Sequence, residues 1–165
     1  MVDSGAVLPF NVTHKIIDAS PLEPDHIKPC LVEVSVHSTK NHFLRIYLSQ
    51  QVSPILGDHI YGNRVQTIRG VRLIISPVQG DKISKFQKIP PGILTLLQVQ
   101  LSSVVPNCLH LRQFQLTSFG GKSKDLILTA EPPPQFVFAC QSLGIANLPV
   151  PPRLPTPTTD VNACK

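Results

Sequence analysis

The chain is 165 residues long, enough for about one domain with a buried core, and its 42% hydrophobic content excludes a globally disordered polymer. Seventeen prolines, spread over many positions, exclude long uninterrupted helices. The net charge of +5 is supplied wholly by residues 63–88, where Arg64, Arg69, Arg72, Lys82, Lys85 and Lys88 face a single acidic residue, Asp81. Such a basic segment is the electrostatic footprint of a polyanion partner, or else a solvated, variable loop.

In chain order, Thr13–Ile17 reads as a short strand closed by a turn region between Pro21 and Pro24. Leu31–His37 is the clearest strand, with Val32, Val34 and Val36 alternating against Glu33, Ser35 and His37. Ser38–Asn41 offers cap-competent side chains ahead of an apolar run over residues 42–52. That run fits two patterns. As a helix it places His42, Arg45, Ser49 and Val52 on one side and Phe43, Leu44, Tyr47 and Leu48 on the other. As a strand it alternates Leu44, Ile46 and Leu48 with Arg45 and Tyr47. The caps and the length favour the helix, ended by Pro54 and Gly57.

Residues 63–92 read as an irregular basic insertion, with a strand at Val71–Ile75. Pro91 opens a short helix running to Leu97. Leu109–Phe119 and Leu126–Ala130 read as strands joined by a turn over Gly120–Asp125. Gln135–Leu143 is expected to be a helix with Phe136, Ala139, Cys140 and Leu143 at core spacing, stopped by Gly144. Residues 147–165 are rich in proline and threonine and are expected to form a disordered tail. The pattern implies an α+β fold, mainly an antiparallel mixed sheet with short helices, over residues 1–146.

Cys30, Cys108, Cys140 and Cys164 are scattered without a paired spacing, which argues against zinc and against a disulfide framework. His14, His26, His37, His59 and His110 show no ligand spacing, so no metal is expected. No apolar run reaches the ~20 residues of a bilayer span. The first residues, Met1–Ala6, carry neither a signal-peptide n-region nor presequence arginines, although a fragment or an alternative start would have lost either.

One ordered set of residues carries a family resemblance. Ser38-Thr39-Lys40-Asn41 leads into His42-Phe43-Leu44-Arg45-Ile46-Tyr47-Leu48, followed by Pro54-Ile55-Leu56-Gly57-Asp58 and Tyr61-Gly62. This resembles the RluA-type RNA pseudouridine synthases, in which a Thr-Gly-Arg-Thr turn, a His-Gln-Ile-Arg-Val-His-Leu segment and a Pro-Ile-Leu-Gly-Asp stretch stand at the same spacing. Leu109-His110-Leu111 and the Ala130–Phe136 stretch resemble later pieces of the same domain. Thr39-Lys40 replaces the usual Gly-Arg, and Phe43 replaces the glutamine. The match is similar in feel to the mitochondrial members.

The resemblance implies the C-terminal part of a catalytic domain that isomerises uridine in rRNA, tRNA or mRNA, with no cofactor. It implies that Arg45 is the basic partner of a catalytic aspartate. That aspartate belongs to a His-Arg-Leu-Asp motif upstream of Thr13, for which these residues have no room, so the chain alone is expected to be inactive. Lys40, His42 and the six basic residues of 63–88 are the expected RNA contacts. Pro54, Gly57, Asp58, Tyr61 and Gly62 are expected to form a structural turn, with the Asp58 side chain capping it. The resemblance also implies a mitochondrial location, against a cytoplasmic or nuclear alternative. Two other functions fit the residues: a non-catalytic RNA-binding module and a protein-interaction fragment with exposed apolar surface.

Overall fold

The computed structural model describes residues 11–62, 65–75, 87–100, 103–118 and 125–148, with only the backbone described for residues 65–68, 72 and 74. The expected tail over 147–165 lies outside them apart from Asn147 and Leu148, as do Arg64, Lys82 and Lys85. The expected α+β character is present. Strands β1 (Val12–Ala19), β2 (Cys30–Val36), β3 (Val65–Ile68), β4 (Val71–Ile74), β5 (Gln113–Leu116) and β6 (Leu126–Thr129) form three antiparallel pairs in sequence order. Helices α1 (Phe43–Tyr47), α2 (Pro91–Leu96) and α3 (Pro134–Ser142) lie between and after them.

The chain divides into two compact units. One holds the described residues up to His110 together with Pro133–Leu148; the other holds Leu111–Pro132. In the first unit, β1 and β2 pair with Val12, His14 and Ile16 opposite Val36, Val34 and Val32, so the alternating valines of β2 meet one face of β1. A bulge between Ile16 and Asp18 shifts the register. Beyond it, Asp18 Oδ2 accepts hydrogen bonds from the Ala146 and Asn147 amides, at 3.0 and 2.9 Å, tying the segment after α3 to β1. Buried Ser20 closes the next turn, its hydroxyl accepting from the Leu22 amide.

The core of this unit is built by α2 and α3. Ile93, Leu94 and Leu97 pack with Val105, Ala139, Cys140, Leu143 and Ile145, and Leu31, Leu56, Ile89, Cys108 and Phe136 flank them. Both helices start at proline in the first turn, where the missing amide hydrogen costs no helical bond. Asp25 adds its carboxylate to the Gly92 amide at the start of α2, at 2.7 Å. α3 ends as its sequence requires: Gly144 takes φ +72°, the Gly144 amide donates to Gln141 O and the Ile145 amide to Cys140 O. This is a Schellman ending, completed by the apolar pair Ile145 and Cys140. Burial, then the neighbouring Cys140, pushes the Cys108 thiol up to about 11, so it is an inert core group at neutral pH.

The β3–β4 hairpin turns through Arg69 and Gly70, both at positive φ (+51° and +80°), the pairing that matches the right-handed strand twist. In the second unit, Phe114 faces Leu128 and Leu116 faces Leu126 across β5–β6. Asp125 receives hydrogen bonds from Gln115 Nε2 and the Ser118 amide.

Truncating a core position and an exposed one should separate sharply. Leu97→Ala, at a site 3% exposed, should cost about 2–5 kcal/mol in urea denaturation. Leu111→Ala, 66% exposed, should cost under about 0.5 kcal/mol.

Candidate active site

The segment entering α1 is strained in a defined way. Asn41 and His42 both adopt left-handed backbone conformations, φ +55° and +58°. A 3₁₀ turn over Lys40–His42 therefore hands the chain directly to α1, which widens into a π turn over Leu48–Val52. The expected side-chain cap is not formed. The Ser38 hydroxyl accepts instead from the Lys40 amide, at 3.3 Å, because the left-handed pair turns the chain before a cap can reach the helix. Residues 43–52 are helical, as the length argument favours.

The helix is less cleanly two-sided than its pattern implies. Leu48 and Ser49 are buried, and Ser49 Oγ has no hydrogen-bond partner among the described residues. Phe43 and Tyr47, on the apolar side of the pattern, are half-buried; their rings stack at 6.0 Å, and Tyr47 OH lies 3.3 Å from His14 Nδ1.

Arg45 is the centre of the site. Its Nε donates to Asp58 Oδ2 at 2.8 Å and its Nη2 to Asp58 Oδ1 at 2.5 Å, a two-point pair. The Asp58 side chain is fully buried, and that of Arg45 is 18% exposed. Asp58 also caps its own turn, as expected: Oδ1 accepts from the Ile60 and Tyr61 amides at 3.1 and 2.9 Å. Its carboxyl group thus has two jobs, and the sequence pattern indicates only one of them. One edge of the Arg45 guanidinium is thus occupied from within the chain.

Burial favours the neutral acid, but the Arg45 hydrogen bonds, the Tyr61 amide, the Arg45 charge and the Ile60 amide outweigh it. Together they hold the Asp58 carboxyl below the usual carboxylate range. The Asp58 contact likewise raises the Arg45 guanidinium further above its ordinary value. The pair is charged on both sides at neutral pH.

The outer edge of the guanidinium remains turned towards the surface. Arg45 Cζ sits 5.1 Å from the centre of the Tyr61 ring, and Nη1 lies 3.3 Å from His42 Nδ1. His42 is itself 5.8 Å from the Tyr61 ring. Thr39, Asn41, His42, Leu44, Arg45 and Leu109 line an open depression of about 260 Å³. It offers a cation and an imidazole beside leucine side chains, the mixture that accepts a planar polar ring or a phosphate.

The turn that carries Asp58 is tightly built. The Asp58 amide donates to Ile55 O and the Gly62 amide to Asp58 O. Gly57 lies at φ +77°, and a Cβ there would collide with the Pro106 carbonyl and stand 2.7 Å from Val105 O. Sequence reasoning missed Gln87, whose side chain bonds to the backbone of this turn, and nothing in its sequence context marks it. Among the expected RNA contacts, Lys40 is exposed beside the depression's Thr39, Arg69 is exposed at the tip of the β3–β4 hairpin, and Lys88 is exposed directly after Gln87. The Arg72 side chain lies outside the described residues, with Arg64, Lys82 and Lys85.

No family model matches the chain. It is 30% identical over 117 residues to the mitochondrial mRNA pseudouridine synthase RPUSD3 of Homo sapiens, covering 70% of this chain and 33% of that protein. It is 31% identical over 118 residues to the mitochondrial pseudouridylate synthase RPUSD4 of Mus musculus, covering 70% of this chain and 27% of the relative. The solved structure of human RNA pseudouridylate synthase domain containing 4 superposes on 80% of this chain with a TM-score of 0.54 at 26% identity, and 41% of that protein is covered. The chain is thus similar to part of these mitochondrial pseudouridine synthases, consistent with the RluA-type resemblance. It spans about a third of the length of the curated relatives it matches. Among the described residues no group of three or more metal-ligating side chains is assembled, and no helix is long and apolar enough to cross a membrane.

Two tests follow from this geometry. Because the folded-state pKa of Asp58 is lowered, its contribution is complete above the unfolded value near ~3.9 and is lost as pH falls through the folded value. The stability advantage of the native chain over Asp58→Asn should therefore be constant from about pH 5 to 8 and shrink only below about pH 4, read as thermal midpoints against pH. Gly57→Ala should lower stability by more than about 1 kcal/mol, read by denaturant unfolding.

Proposed function

We propose that this chain forms one wall of the active site of an RNA pseudouridine synthase, with Arg45 as the basic residue that meets the catalytic aspartate. The observation that carries the reading is the two-edged use of the Arg45 guanidinium. Asp58 takes Nε and Nη2 and fixes the plane of the group; Arg45 lines the depression, and beyond the Nη1 contact with His42 its outer edge keeps donors for a second carboxylate. A carboxylate arriving on that edge would be held charged and oriented, the state required of a nucleophile or base.

The described aspartates of this chain do not supply it. Asp58 is buried beneath Arg45, while Asp18, Asp25 and Asp125 are engaged by the backbone or side-chain donors of their own neighbourhoods. Following the resemblance, the nucleophile is assigned to a segment outside the described residues, and residues 1–165 alone are expected to be inactive. Tyr61, under the guanidinium, and His42, at its rim, line the base and phosphate side of the site. Lys40, Arg69, Lys88 and the remaining basic residues of 63–88 engage RNA phosphates, with Pro54, Gly57, Asp58, Tyr61 and Gly62 as the supporting turn. The relatives' names support a mitochondrial setting and an RNA substrate.

The test is a chemical-labelling assay for pseudouridine on transcribed RNA. Residues 1–165 alone should give no product. Joined to the part of human RPUSD4 that this chain does not match, they should give product, and Arg45→Met in that fusion should reduce turnover by about 10²–10³-fold. Turnover by residues 1–165 alone, or an Arg45→Met fusion as active as its parent, would contradict the assignment. A non-catalytic RNA-binding module would instead leave the fusion inactive while retaining salt-sensitive RNA binding.

A further inference from the structure

We infer that Gln87 is a positioning residue for Arg45, acting through the Pro54–Gly62 turn, and this rests on the assignment of Arg45 above. Gln87 is the penultimate residue of the basic segment 63–88. It is half-buried and makes three hydrogen bonds to the turn. Its Oε1 accepts from the Gly57 amide at 2.6 Å, its Nε2 donates to Ile55 O at 2.9 Å, and its own amide donates to His59 Nδ1 at 3.2 Å. The His59 ring is thereby fixed with Nε2 as the donor to Val105 O, at 2.8 Å. Gly62 closes over the same side chain: a Cβ there would come within 2.7 Å of Nε2 and 2.8 Å of Cγ.

One residue therefore grips four positions of a nine-residue turn, on both sides of Asp58. From the opposite side the turn is held by the Cys108 amide on Leu56 O and by the close approach of Gly57 to Pro106. Asp58 cannot adjust independently, because its carboxylate is committed to the Ile60 and Tyr61 amides as well as to Arg45. A displacement of the turn is a displacement of the carboxylate, and with it of the guanidinium edge that faces the depression. Gln87 touches neither Arg45 nor the depression in any contact described, so its effect is indirect.

Nuclear magnetic resonance of the Arg45 Nε–H group in residues 1–165 tests this without any need for catalysis, so its failure is separable from failure of the synthase assignment. In Gln87→Met, which keeps the length and bulk but removes both amide contacts, the Arg45 Nε–H signal should move towards that of a free arginine. Its exchange with water should accelerate by about tenfold or more. The β1–β2 amides should stay at their native positions, showing that the fold persists. An unchanged Arg45 signal and exchange rate in Gln87→Met would overturn the inference. If the variant does not fold, the native chain decides. Protection of the Gly57 and Gln87 amides and of Arg45 Nε–H within about tenfold of one another indicates one shared opening. An Arg45 Nε–H that remains protected while those two amides exchange freely would overturn the proposal.

Discussion

A fully buried carboxylate has to be paired or neutralised, and Asp58 is paired completely. Two donors come from Arg45 and two from the amides of its own turn. Much of the first unit's local order around the depression follows from that requirement. The Asp58 turn needs glycine at Gly57 because its backbone meets Pro106, and it needs a cation from α1 because two amide donors alone would leave a buried charge under-compensated. The guanidinium is then anchored along one edge and lies over the Tyr61 ring, so its second edge points in a fixed direction. A flexible arginine loses side-chain entropy when it binds a partner; this one has already lost most of it in folding.

The same constraint explains the unusual entry into α1. Two consecutive non-glycine residues in left-handed conformations carry a cost of order 1–3 kcal/mol each. They persist because they bring His42 beside Tyr61 and the Arg45 Nη1 atom while α1 keeps Arg45 above Asp58. Strain, ion pair and tight turn therefore converge within about twenty residues of sequence, the same residues that carry the resemblance to pseudouridine synthases.

Much of the architecture was legible from local pattern. The alternating valines of β2, the prolines that open α2 and α3, and the glycine that closes α3 each fix a feature by chemistry acting over a few residues. Residues 43–52 of the 42–52 run are helical, whereas Phe43 and Tyr47, on the apolar side of that pattern, stack together at half burial. What was illegible lay in long-range pairing. The Asp58 side chain has a local role that accounts for its presence in a turn, and this hides its second role as the partner of Arg45 thirteen residues earlier. Gln87 is further removed, thirty residues from Gly57, and its amide carries no periodicity or motif. Long-range hydrogen bonds of that kind are set by tertiary geometry, which composition and spacing do not encode.

The central claim is that Asp58 and Arg45 act as one unit that sets the direction of the outer guanidinium edge. A double-mutant cycle on folding stability tests it most directly, using Arg45→Met, Asp58→Asn and the combined variant under denaturant unfolding at pH 7. The account predicts a coupling of about 2–3 kcal/mol, with the double variant far less destabilised than the sum of the two single ones. Effects that add to within about 0.5 kcal/mol would contradict it.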